Sequence, residues 1–292
     1  MDSVKDNELW RRGNREGSAL FRKWFDDLDA AADAGEVGAY VFVMGSLTEI
    51  LNTFDLPIIF PEITSLNTAI RHDAADLLNE AEDHGYSPDI CGYVKADYAV
   101  QNRGGQHPMG KLPKPGLALL TNACNTYLKW GEIWERMFET PLFTIDVPGT
   151  RQKGTQTWPG DEQFEREKRY VRVQIDELIN TCEEITGEKF DMDKLRETLT
   201  YSNRMSAAWK QILQFNKASP AVFNALTDGT AYLGVNNIMR GTKEGAEYFE
   251  RLLEEKKWMH DNGIGIVEEE KHRLAFIGVP CYPIFREFNN LF

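Results

Sequence analysis

No run of apolar residues in this 292-residue chain approaches the roughly 18 that a membrane-spanning helix requires, so none is expected. The opening residues, Met1-Asp2-Ser3-Val4-Lys5-Asp6, hold neither a basic stretch nor an apolar one, and no secretory signal is read there. Positive charge is scarce: 33 Lys and Arg face 46 Asp and Glu, leaving a net charge of −13. Such a chain repels phosphate backbones and anionic lipid alike, which argues against nucleic acid or a membrane as partner. Cysteine is sparse too. Four thiols in a chain of this length, expected to be cytoplasmic, make no disulfide framework, so each is a core filler or a ligand.

Several site motifs are missing as well. Neither G-x-x-x-x-G-K-[ST] nor G-x-G-x-x-G occurs, so no glycine-rich cradle for nucleotide phosphates is legible. The five histidines, His72, His84, His107, His260 and His272, include no H-E-x-x-H pair, which removes a zinc-protease reading. No G-x-S-x-G marks a nucleophile elbow.

What the chain does have is 42% hydrophobic and 11% aromatic residues, enough to bury a real core in two or more domains. Residues 5–34 read as a leading helix that stops at Gly35. The run Gly38–Met44 reads as a buried strand, and Ser46-Leu47-Thr48-Glu49 fits a capping box that opens a helix at the strand's end. Leu56–Phe60 is a second expected strand, and residues 62–84 one helix closed by Gly85. Ser87-Pro88 predicts the start of another helix through Tyr93 and Tyr98. An irregular loop over 102–115 then leads to a strand at Gly116–Thr121, a helix carrying Tyr127, Trp130, Ile133 and Trp134, and a strand at Leu142–Ile145. Strands alternating with helices imply a mostly parallel sheet covered on both faces. After the loop Pro148–Gly160 the texture changes to long charged helices over 161–186, 191–217 and 241–262, with Pro220 opening a further helical stretch. Arg273–Gly278 returns to strand character, and Tyr282–Phe292 begins a helix. The fold class expected is α/β. A leading helix (1–35) precedes a parallel-sheet, Rossmann-like domain (36–147), then a helical segment (148–268) and the truncated start of a second α/β domain (269–292).

Two cysteines stand where sites are built. Cys91 falls in the first turn of an expected helix, whose positive end suits an anionic sulphur. Cys124 falls just past a strand's carboxyl end, where ligands collect in open α/β sheets. Position and spacing leave both readings open, ligand or small buried hydrophobe. Cys182 lies with Ile175, Leu178, Ile179 and Ile185 on one helical stripe and reads as core. Cys281 follows the last expected strand, with packing favoured over a site role. The loop carrying Arg103, Lys111 and Lys114 is the main local basic feature; it reads either as a contact for coenzyme A phosphates or as a solvated loop. No catalytic residue is legible.

The segment Cys91-Gly92-Tyr93-Val94-Lys95-Ala96-Asp97, the strand leading to Cys124, the stretch Cys124–Trp130, and Phe285-Arg286-Glu287-Phe288 together resemble one family. It is the 2-hydroxyacyl-CoA dehydratase/benzoyl-CoA reductase family, and the likeness is greatest to its larger cluster-binding subunits of the ATP-dependent reductase type. The likeness runs in order along most of the chain and is strongest over 90–130 and 272–292. It implies a [4Fe–4S] cluster held partly by Cys91 and Cys124, with a third cysteine expected beyond residue 292. It implies as partners a sister cluster-binding subunit, ATPase (activator) subunits with a cluster of their own, a low-potential ferredoxin-type donor and an acyl-CoA substrate. The implied activity is dearomatising reduction of benzoyl-CoA, or a related aromatic acyl-CoA, to a cyclic dienoyl-CoA. The alternatives are (R)-2-hydroxyacyl-CoA dehydration through a ketyl radical and a non-catalytic subunit that binds acyl-CoA or relays electrons. Because no phosphate cradle is present, the purified chain alone should not hydrolyse ATP. A phosphate-release assay on the single subunit checks this, and turnover there would refute the implied division of labour.

Overall fold

A computed structural model describes residues 6–148, 158–279 and 281–291. The first five residues, most of the expected loop over 148–160, Pro280 and Phe292 lie outside them. The chain divides into two compact units, one of Leu28–Thr68 and Asp73–Met192, the other of Met1–Asp27, Ala69–His72 and Asp193–Phe292.

The first of these holds a four-stranded, all-parallel sheet in the order β2-β1-β5-β6, formed by β1 (Val37–Val41), β2 (Ile58–Ile59), β5 (Lys114–Thr121) and β6 (Leu142–Ile145). Its central strands are buried on both faces: Ala39, Tyr40 and Val41 are sealed, as are Leu117 to Leu120. Continuous apolar runs are what a parallel sheet under helices demands. The expected α/β class is therefore what the chain adopts. From β1 the chain moves to β2 on one side, and the later strand β5 lies on the other, so the winding reverses between β1 and β5.

Several expected boundaries move, each for a local reason. β1 stops at Val41 rather than Met44 because the Val43 N–H donates to the Glu62 carboxylate (2.6 Å) instead of to a ladder carbonyl. The capping box does not form: α2 (Thr48–Leu51) is one turn, preceded by Leu47 in the left-handed conformation with no side-chain cap. The helix expected over 62–84 is two, α3 (Pro61–Ile70) and α4 (Ala74–Asp83), separated at His72 (φ 66°), with the Asp73 N–H closing back on the Thr68 carbonyl. Ser87-Pro88 opens a turn, not a helix. Its Pro88 carbonyl accepts from the buried Lys95 ammonium (3.1 Å), and α5 (Gly92–Asn102) begins only after Cys91. The loop expected over 102–115 contains a small antiparallel hairpin of β3 (Gln106–His107) and β4 (Gly110–Lys111).

α6 (Asn125–Phe138) follows β5 and buries Tyr127, Trp130, Gly131 and Trp134 on one stripe. A Cβ on Gly131 would stand 2.6 Å from Leu120 of β5, so glycine there lets helix and strand meet closely. α7 (Glu162–Thr186) completes this unit, with Cys182 sealed and its thiol pushed up to about 12 by burial, as its core position predicts.

In the other unit the first part of α1 (Arg12–Asp33) packs with α8 (Met192–Phe215), α9 (Asp228–Ile238) and α10 (Lys243–Asp261). Its centre is polar. The Glu255 carboxylate, wholly buried beside the Lys256 ammonium (2.8 Å), accepts the Gly13 N–H, and the Tyr248 hydroxyl donates to the Gly13 carbonyl. The stretch after Pro220 turns before it becomes helical, because the Asn224 side chain accepts the N–H groups of Leu226 and Thr227. The run Arg273–Gly278 is irregular rather than a strand: no neighbouring ladder serves it among the described residues. Arg273 instead donates to the carbonyls of Asn216, Lys217 and Ala218 at the end of α8. A 3-10 turn at Tyr282–Ile284 and the short helix α11 (Phe285–Asn289) follow.

One buried carboxylate ties the helices of the sheet unit together. Asp97 of α5 is sealed and accepts the indole N–H groups of Trp130 (2.7 Å) and Trp134 (2.8 Å), both on α6. Burial outweighs these bonds and that from Gln101, and lifts its carboxyl to about 6. An acid whose pKa is higher folded than unfolded stabilises the fold below about pH 4, and that contribution is lost as pH rises through about 6. The unfolding free energy of the wild type relative to Asp97→Asn should therefore fall between pH 4 and 6, by on the order of 3 kcal/mol at most. Urea denaturation of both proteins across that window tests it; a constant difference would refute the account.

Candidate functional site

At the carboxyl edge of the sheet the chain leaves β1, β2 and β5 in turn, and a titratable or thiol side chain stands at the latter two exits. Glu62 lies in the first turn of α3, directly after β2. Cys124 lies three residues past β5 and caps α6; Tyr127 follows one turn later. This is the edge beside the reversal between β1 and β5, the place in open α/β sheets where ligands bind. The turn after β1 presses against β5: Gly45 (φ 84°) has no room for a Cβ, which would come within 2.5 Å of Thr121.

Glu62 is half-buried, with one oxygen taking the Val43 N–H (2.6 Å) and the other the Tyr127 hydroxyl (2.8 Å). Burial pushes its carboxyl up, against the two hydrogen bonds, which favour the charged form. The Tyr127 phenol is driven well above its ordinary value, first by burial, then by the Glu62 charge and hydrogen bond, with a smaller contribution from Cys124. Its ring is fixed by stacking on Phe42 at 3.9 Å between centroids. The result is a rigid carboxylate–phenol pair beside a rim cysteine. Neither residue is singled out by the sequence patterns above. The signal for Glu62 is an acid opening a helix just after the apolar Ile58-Ile59-Phe60.

Cys91 caps α5 in a non-helical conformation (φ −45°, ψ 125°), and Cys124 caps α6 in an extended one (φ −137°, ψ 131°); neither side chain is spent on capping its own helix. Both are free thiols, Cys91 exposed and Cys124 partly so. Cys91 lines a cleft of about 480 Å³ whose opposite wall is α6, beginning with Asn125 and Thr126, the two residues after Cys124. Both cysteines thus stand at one end of the α5–α6 pair. Thiols of this kind are soft donors suited to iron–sulphur or zinc chemistry. No group of three or more His, Cys, Asp or Glu that could hold a metal gathers among the described residues.

The basic residues lie at the other end. α5 runs about 16 Å away from Cys91 before Arg103, and β5 climbs about 26 Å from Lys114 before Cys124 is reached. Arg103 pairs with Glu80. The Lys111 N–H donates to Asp29 (2.6 Å) and its ammonium lies 4.0 Å from Asp33. The fold therefore does not bring Arg103, Lys111 and Lys114 to the cysteines. Cys281 is exposed in the other unit. No helix among the described residues is long and apolar enough to cross a membrane.

The fold defines an α/β protein, with thiol and carboxylate side chains at a sheet switch point as its candidate site. Comparison with known proteins then gives it a family. The family described as 2-hydroxyglutaryl-CoA dehydratase, D-component, matches residues 46–292, and the chain belongs to it. It is 32% identical over 279 residues to one of the benzoyl-CoA reductase subunits of Thauera aromatica, covering 92% of this chain and 62% of that protein. It is 30% identical over 240 residues to the (R)-phenyllactyl-CoA dehydratase alpha subunit of Clostridium sporogenes, covering 82% of this chain and 56% of that one. A similar match, 31% over 238 residues, is to the (R)-2-hydroxyisocaproyl-CoA dehydratase alpha subunit of Clostridioides difficile, covering 80% of this chain and 56% of that one. The chain thus spans about 60% of the length of these relatives.

The geometry sets an order of thiol reactivity. In the native state iodoacetamide should modify Cys91 and Cys281 and leave Cys182 untouched until the protein is unfolded. Peptide mapping by mass spectrometry reads this out, and native labelling of Cys182 would contradict the packing of α7.

Proposed function

We propose that this chain is a subunit of an ATP-dependent benzoyl-CoA reductase, or of one acting on a related aromatic acyl-CoA, holding part of a [4Fe–4S] cluster through Cys91 and Cys124. The observation that carries the reading is that Cys91 and the residues directly after Cys124 line one cleft, with both thiols free, in a chain 32% identical to a benzoyl-CoA reductase subunit. Two thiolates suit iron in kind but not in number, so the remaining ligand or ligands come from elsewhere in the assembled enzyme. The proposed partners are a sister cluster-binding subunit and separate ATPase subunits fed by a low-potential donor.

When bound, the cluster supplies electrons singly at low potential. The chain's own residues supply protons and place. Reducing the ring to a cyclic diene consumes two electrons and two protons, so a proton must be delivered beside the electron source. Glu62 is built for that. Its carboxyl is pushed up by burial, and Tyr127 and the Val43 N–H fix its direction. Glu62 is assigned as the residue that holds and gives the proton, and Tyr127 as the residue that positions it. The closed wall of Phe42, Trp130 and Trp134 behind them excludes water from the sheet side.

The second reading is dehydration of an (R)-2-hydroxyacyl-CoA, favoured by the relatives that are dehydratase alpha subunits. It needs the same thiols and a residue that takes a proton, so Glu62 serves either way. Product analysis under anaerobic conditions, with an aromatic and a 2-hydroxyacyl thioester offered in turn, separates the two.

In the assembled enzyme, Cys91→Ser or Cys124→Ser should remove most of this subunit's iron and the activity, whereas Cys182→Ser should spare both. Glu62→Gln should keep the iron and lower turnover by roughly a hundredfold or more. Full iron content in both rim-cysteine variants would overturn the proposal.

A further inference from the structure

We infer that the outer face of α6 binds a coenzyme A thioester, with Arg136 at its phosphate-bearing end and Lys129 along its arm; this rests on the acyl-CoA reading above. The cleft of about 480 Å³ beside Cys91 has the size of a small-molecule site. It has a direction. Asn125 and Thr126, next to Cys124, mark one end; Arg136 lies eleven residues on, about 16 Å along the helix. That separation is of the order of an extended pantetheine arm, so a thioester held at the cysteines puts its phosphates near Arg136. Ile133 on α6, with Ile90 and Val94, makes part of the lining apolar, as suits the methylene-rich arm.

Of the two cations on this face, Arg136 stands at the far end, and Lys129 stands about 6 Å from Asn125, where it can donate to the amide carbonyls of the arm. Lys129 and Arg136 are two turns apart on one face and share a single carboxylate, Glu132, at 2.9 Å and 3.9 Å. The longer pairing leaves the Arg136 guanidinium available, and it is largely exposed, free to swing onto a phosphate. Asp89 is the other acid on the lining, beside Cys91 rather than Arg136 in the chain. Tyr86 supplies a flat wall. Its ring packs on Tyr98 at 4.4 Å between centroids, and Arg136 lies close enough to oppose the upward push that burial gives the Tyr86 phenol. Phosphate and adenine thus find a cation and an aromatic face together. Arg103 meets none of these conditions, being committed to Glu80 at the opposite end of α5.

The test is calorimetric titration of coenzyme A into this chain and two double variants, Lys129→Gln with Arg136→Gln and Arg103→Gln with Lys114→Gln. All four side chains are on the surface, and circular dichroism melting verifies that each variant folds. Affinity should fall at least about tenfold in the α6 variant and stay unchanged in the other. Unchanged affinity in the α6 variant, an equal loss in the Arg103/Lys114 variant, or no binding of coenzyme A to the wild-type chain would each overturn the inference. The cluster reading is judged on iron content and stands or falls apart from this result.

Discussion

The hydrogen bonds from Trp130 and Trp134 to Asp97 are the constraint on which the site's geometry depends. A carboxylate sealed among aromatic rings is costly unless its oxygens are satisfied, and here both indoles aim at the same oxygen. Because Asp97 belongs to α5 and the indoles to α6, satisfying that charge fixes the two helices against each other in rotation and height. The beginnings of those helices are Cys91 and Cys124. Two residues 33 positions apart are thereby presented at one end of a helix pair by an interaction that touches neither of them.

The sheet contributes the second constraint. Gly131 lets α6 lie close on β5, and Gly45 lets the turn after β1 close against Thr121, so the carboxyl edge is compact. Within it the Val43 N–H leaves the strand ladder and is taken by Glu62. The same bond ends β1 and orients a carboxylate, which joins the fold's local geometry to the chemistry proposed for it. Tyr127 completes the arrangement from α6, held by Phe42 of the β1 exit. Rigid placement of this kind lets a carboxylate exchange a proton at one defined position without reorganising.

The two cysteines proposed as metal ligands are fewer than a closed structural site gathers. A structural metal centre gathers its full donor set and then contributes folding energy outright. Among the described residues two thiols share an end of the helix pair, beside a sheet unit packed through its aromatic wall and buried Asp97.

The sequence by itself determined the class of fold and the positions of its long elements. The apolar runs at Gly38–Met44, of which the strand keeps the part to Val41, and at Gly116–Thr121, and the helical stripe of Tyr127, Trp130 and Trp134, needed only periodicity and burial, which are local properties. The long helices α7, α8 and α10 were legible to within a residue or two for the same reason. The two rim cysteines were legible as positions, one at a helix start and one past a strand. Tertiary structure decided the rest. Whether Arg103, Lys111 and Lys114 approach the cysteines depended on the directions of α5 and β5, which run away from the rim and back, and order along the chain does not encode that. Arg273–Gly278 has the composition of a strand, yet a strand exists only where a neighbour supplies its ladder, and among the described residues none does. Glu62, Tyr127 and Asp97 gained their roles from partners 19 to 65 residues away, contacts that no local pattern contains.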